Sequence, residues 1–81
     1  MSYVVYILFS DTTLKYYTGH TQDLENRLRE HNSSETISIK KGIPWRVIWQ
    51  TSVQTRSAAM FLESKIKKRG AKRFMSDLGI A

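Results

Sequence analysis

Residues 3–9 form an apolar, β-rich run; Asp11-Thr12-Thr13 interrupts it with turn-forming side chains, and Tyr16-Tyr17-Thr18-Gly19 resumes it. No other stretch limits the fold as strongly, because this pattern predicts a hairpin with a loose loop over the first nineteen residues. Side chains alternate along a strand with period two, so Tyr6 shares a face with Val4 and Leu8. Pairing of the strands then brings Tyr6 close to Tyr17, although eleven positions separate them in the chain.

The remaining segments supply helices and one more strand. Thr21 is a plausible helix N-cap, with Gln22, Asp23 and Glu25 around a first turn where negative charge suits the helix dipole. The helix runs to about Asn32, and Leu24, Arg27, Leu28 and His31 follow the i, i+3, i+4, i+7 spacing of one face. The two leucines anchor that face to the sheet, and Arg27 and His31 at its edge can reach a pocket formed by the tyrosines. Ser33 to Gly42 reads as a mobile polar loop able to close over a ligand. After Pro44, alternation from Trp45 to Thr51 predicts a third strand with Trp45, Val47 and Trp49 on one face. Those tryptophans are assigned to the core rather than to base stacking.

Thr55 caps an expected helix of about thirteen residues, with Ala58, Ala59, Leu62 and Ile66 as its apolar stripe and Glu63 beside it. Gly70 ends or kinks that helix, and a short last helix with Phe74, Met75 and Leu78 completes the core. The expected architecture is α+β, a small three-stranded antiparallel sheet flanked by helices in the order ββαβαα. There is no internal repeat and no low-complexity tract.

At 81 residues the chain is expected to be one domain over its whole length, without a second module. A chain of that size hides only about 60 to 65 per cent of its unfolded surface, so modest stability is expected. It has no cysteine, which removes disulfides and thiolate metal sites and leaves oxygen or imidazole as metal donors. The run at residues 3–9 is too short to cross a bilayer and lacks a basic leader, so the reading is a soluble, cytoplasmic protein without membrane association.

Net charge is +6, and from Thr36 to Ser76 there are ten Lys or Arg residues against a single acid, Glu63. A polyanionic partner is the direct reading; the alternative is a merely solvated basic helix face.

The order of motifs resembles the GIY-YIG endonucleases, particularly their small single-domain bacterial members. Five features carry the likeness over nearly the whole chain. They are Val4-Val5-Tyr6-Ile7 on one strand, Tyr17-Thr18-Gly19 on the next, a helix reading Asp23-Leu24-Glu25-Asn26-Arg27-Leu28 with His31-Asn32, a Pro44-Trp45 strand, and Leu62-Glu63 with Ile66-Lys67 on a later helix. Each is weak alone; the conjunction is specific. Val4 and Val5 depart from the Gly and Ile of the family name, and at this length no counterpart of the separate DNA-binding domain of larger relatives is expected.

The resemblance implies a metal-dependent endonuclease acting on DNA with one Mg²⁺ or Mn²⁺ site. Glu63 would hold the metal, since a hard cation of this kind takes one or two carboxylates and fills its shell with water and phosphate. Arg27 would bind the scissile phosphate through its planar guanidinium. Tyr6 would help activate the water, directly or through a proton network, and Tyr17 would orient the nucleophile or phosphate. His31 could relay a proton or contact phosphate. His20 could also line the pocket, at a position read as variable, and Gly19 would permit a close backbone approach.

The ordinary alternatives are an ion pair of Glu63 with Lys67, a surface pair of Arg27 with Glu30 or Asp23, and plain packing for the tyrosines, which is all that is expected of Tyr3 and Tyr16. Affinity for DNA would come from Lys40, Lys41, Lys65, Lys67, Lys68, Lys72 and Arg73 on phosphates, making cutting structure-guided rather than sequence-specific. Specificity could also come from a protein partner. Two other classes stay open: a nucleic-acid-binding module on the same fold that does not cleave by itself, and a protein-interaction adaptor.

Overall fold

The computed structural model describes residues 2–33 and 41–79. Strand β1 (Tyr3–Ser10) lies at the centre of a three-stranded antiparallel sheet, with β2 (Tyr16–Thr21) on one side and β3 (Trp45–Val53) on the other. Helices α1 (Leu24–Asn32), α2 (Arg56–Arg69) and α3 (Ala71–Asp77) complete the expected ββαβαα order. The hairpin loop is tied rather than loose. Ser10 Oγ accepts from Thr13 N at 3.0 Å, and the Ser10 backbone receives Leu14 N and donates to Lys15 O. A buried Ser10 thus closes the turn that a run of Asp and Thr begins.

Because β1 is central, both its faces are buried, and each face carries its own core. Val5 and Ile7 pack with Ala59 and Ile66 of α2 and Met75 of α3. Tyr6 and Leu8 pack on the opposite side with Trp45, against Leu24 and Leu28 of α1. Two thin cores, one per face, replace the single interior of a larger domain, in keeping with the small size of the chain.

Three expectations are corrected in detail. Trp49 does not share a face with Trp45 and Val47: Ile7 pairs with Trp49 but Leu8 with Val47, so Ile48 is an extra residue at a β-bulge. The bulge turns Trp49 onto the α2 side, where its ring meets Phe74 edge-on at 5.1 Å. The N-cap of α1 is Asp23, whose side chain accepts from Asn26 N, while the Thr21 hydroxyl is spent on Asp23 N. Ala58 and Leu78 are exposed, so the apolar stripe of α2 is Ala59, Leu62 and Ile66, and the last helix contributes Phe74 and Met75. Thr55 caps α2 as expected, and Gly70, at φ 91°, separates α2 from α3. The expected mobile loop lies largely outside the described residues, as does Lys40.

No described helix is long and apolar enough to cross a membrane.

Candidate functional site

β2 is an edge strand, and its side chains alternate between the two cores; the candidate residues therefore divide between the two faces and meet along that edge. On the α1 side, Tyr6 pairs in register with Gly19. A Cβ at Gly19 would stand 2.6 Å from the Tyr6 hydroxyl, so the glycine is what lets the phenol lie flat over β2. That hydroxyl is 3.5 Å from His31 Nε2, at the long end of a hydrogen bond. Tyr17 stacks edge-on against His31, with ring centroids 4.6 Å apart, and its other neighbour is Trp45.

Burial decides the ionisation of this half. Tyr6 is only 2% exposed, and burial, reinforced by Tyr17 and partly offset by the charge of Arg27, pushes its pKa up to about 12. His31 is 5% exposed; burial, and then Arg27, lower its pKa, so the imidazole is neutral near pH 7. Its Nδ1 is buried without a hydrogen-bond partner among the described residues. Arg27 itself is half exposed, 3.7 Å from Glu30, so the surface pair considered from sequence does form. Its charge nevertheless reaches both Tyr6 and His31.

The α1 end is fixed by a residue to which sequence assigned no role. Asn32 accepts from Trp45 N at 2.6 Å and donates to Trp45 O at 3.1 Å, pairing with the backbone as another strand would. It locks the turn carrying His31 to the start of β3. Gly42 makes room for the Trp45 ring.

On the α2 side, Glu63 Oε1 lies 2.6 Å from His20 Nδ1 and Oε2 lies 2.7 Å from Lys67 Nζ. The ion pair with Lys67 anticipated as the ordinary alternative is thus present, together with a histidine contact that sequence did not assign. Glu63 is 19% exposed. Burial alone would raise its pKa, but the bonds from Lys67 and His20 outweigh it, and the carboxyl sits below its ordinary value.

Among the described residues there is no cluster of three or more metal-ligating side chains. The single carboxylate fits a cation that keeps most of its water: it is ionised, partly exposed, and opens onto a depression lined by His20, Met60, Glu63, Ser64, Lys67 and Lys68.

That depression shares His20 with one lined by Arg27, Asp23 and Arg56, and shares Lys67 with another under Tyr16 and Tyr17. Tyr17 in turn borders a hollow reaching Lys41. The two halves are therefore joined along the β2 edge, Arg27 to His20 to Glu63 to Lys67 to Tyr17. Of the other basic candidates, Lys65 and Lys68 line a groove between α2 and α3 with Arg69, and Lys72 and Arg73 are exposed on α3.

The family model for the GIY-YIG catalytic domain matches residues 2–75. A UPF0213 protein of Haloquadratum walsbyi is 41% identical over 80% of this chain and 72% of its own length. One from Halobacterium salinarum is 36% identical over 84% and 87%. The solution NMR structure of a UPF0213 protein from Bacillus halodurans superposes with a TM-score of 0.58 at 28% identity, covering 96% of this chain and 85% of that one. The similar proteins thus come from archaea as well as bacteria.

Proposed function

The chain belongs to the GIY-YIG catalytic-domain family, a nuclease-type fold, and from that premise we propose that it is a metal-dependent endonuclease that hydrolyses phosphodiester bonds in DNA. The observation that carries this reading is the arrangement along β2: a neutral phenol–imidazole pair on one face, an ionised carboxylate on the other, and cations lining the hollows between them. Hydrolysis of a phosphodiester needs a group to take a proton from water and positive charge to meet the charge developing on phosphorus.

In this reading Arg27 holds the scissile phosphate, its weak pair with Glu30 being readily exchanged for a doubly charged-assisted contact. Tyr17 orients the phosphate or the water. A phenol with a pKa near 12 is protonated at neutral pH, so Tyr6 does not act as a resting phenolate. It acts through His31: the neutral imidazole takes the Tyr6 proton at Nε2 as the Tyr6 oxygen takes one from water. The long Tyr6–His31 separation suits a bond that tightens when substrate arrives. Glu63 would hold Mg²⁺ or Mn²⁺, with His20 steadying the carboxylate and Lys67 displaced to phosphate. When bound, such an ion supplies a Lewis acid at the phosphoryl and leaving oxygens.

The exposed lysines support contacts to backbone phosphate rather than to base edges, hence cutting guided by DNA structure. The test is cleavage of labelled linear, nicked and branched DNA at low salt with Mg²⁺, Mn²⁺ or EDTA. Metal-dependent cutting by the wild type and none by Glu63→Gln is expected; equal binding with no cutting by either protein would point to the second reading. That second reading, a binding module that does not cleave by itself, draws on one observation, that both oxygens of Glu63 are already engaged.

A further inference from the structure

Phe61 is 74% exposed on the outer face of α2, more so than any other large apolar side chain among the described residues. It borders a groove between α2 and α3 whose other aromatic wall is Phe74 and whose rim carries Lys65, Lys68 and Arg69. Lys65 and Lys68 follow Phe61 at i+4 and i+7, so ring and cations share one stripe of the helix. The sole acid on the rim among the described residues, Asp77, accepts from Arg69 Nε and Nη2 at 2.8 and 2.9 Å and adds no free negative charge.

We propose that this groove is a binding site for unpaired nucleotides flanking the cut, with Phe61 stacking on a base and Lys65 and Lys68 holding the adjoining phosphates. Three arguments converge. A flat aromatic face beside cations is what single-stranded nucleic acid recognises, every base offering a π-face and every linkage a charge. The groove adjoins the Glu63 depression, Ser64 and Lys68 lining both. A helix with its side chains is about 10–12 Å across, so a strand leaving Glu63 over α2 reaches Phe61 within a few nucleotides. A paired base cannot offer its face, so the site selects DNA that is unpaired beside the scissile bond. The inference rests on the nuclease reading for its direction of travel but concerns binding alone.

The experiment measures fluorescence anisotropy of a labelled oligothymidylate, and of a duplex of equal length, in EDTA. The proteins are the wild type, Phe61→Ala, Phe61→Trp, Lys65→Gln and Glu63→Gln. Phe61→Ala is expected to weaken single-strand binding about tenfold and to leave duplex binding within about twofold, while Phe61→Trp retains both. Lys65→Gln should lower the salt slope for single strands by about 0.7. Glu63→Gln should bind single strands at least as well as the wild type. Equal loss on both probes, no loss on either, or a wild-type dimer that Phe61→Ala dissolves would overturn the proposal, the last by assigning the patch to a second copy of the chain. Single-strand binding through Phe61 without any metal-dependent cutting would leave the groove standing and remove the nuclease reading; cutting that is indifferent to Phe61 would do the reverse.

Discussion

The two faces of the sheet hold their functional groups by opposite means. Beside α1, Tyr6 and His31 are set by desolvation: both are nearly buried and both are kept neutral, Tyr6 by packing with Trp45, Leu24 and Leu28 and His31 between the rings of Tyr6 and Tyr17. Beside α2, Glu63 is set by charge: it stays ionised because Lys67 and His20 more than offset its partial burial. The difference teaches a division of labour. A proton is best kept where no solvent competes for it, whereas a metal or phosphate must be met at a surface where partners can exchange.

Function should break first on the buried side. Tyr6→Phe keeps the ring and removes only the hydroxyl, and it should cut cleavage by about 10²- to 10⁴-fold with the melting temperature little changed, as read by single-turnover assays beside calorimetry. A variant that cleaves at the wild-type rate would remove the proton-transfer role of Tyr6 and leave it as packing. Gly19→Ala should be costly to the fold. The new methyl must push the Tyr6 phenol aside, and about 1–3 kcal/mol should be lost in urea titration.

The same contrast can be sharpened by pH. Unfolded His31 takes a proton near pH 6.5, whereas in the folded protein burial holds its pKa lower. The unfolded state therefore binds more protons in that window, and stability falls as the pH drops from neutrality through 6.5 until the folded imidazole also protonates. Tyr6 does the reverse at the alkaline end. The unfolded phenol loses its proton near 10 and the folded one near 12, so about 2–3 kcal/mol disappears as the pH rises between those values. His31→Gln should flatten the acid limb and Tyr6→Phe the alkaline one.

The next effect is expected where the end of α1 is tied to the start of β3. Asn32→Ala strips both backbone bonds from Trp45 and should lower stability by about 1–3 kcal/mol while loosening His31. The smallest belongs to the surface. Asp11→Asn breaks the exposed pair with Arg46 and should leave the unfolding midpoint unchanged within error.

How much of this was legible in the sequence depends on the range of the interaction. The hairpin, the α1 stripe and the Thr55 cap are local patterns, and they formed where the periodicity placed them. The bulge at Ile48 was not legible, because one extra residue leaves Trp45 to Thr51 looking like unbroken alternation; only pairing with β1 reveals the slip. The true cap was hidden by Thr21 and Asp23, two good capping residues, standing two positions apart. The His20–Glu63 contact spans 43 positions. Its only sequence signal was that His20 falls on the same face of β2 as the residues facing α2. Asn32 lay within the family motif but offered no sign of its two bonds to Trp45, which depend on how the chain returns after the segment that follows α1.

The central claim is that the two halves serve one reaction. The most direct test is the single-turnover cleavage rate, with Mg²⁺ or Mn²⁺, of the wild type, Tyr6→Phe, Glu63→Gln and the double variant on whichever of the linear, nicked and branched substrates is cut best. Groups that act as a unit are not additive. The account predicts metal-dependent cutting by the wild type and a double variant scarcely slower than the worse single one. A wild type that binds but never cuts, or a Glu63→Gln protein that cuts at the wild-type rate, would contradict it.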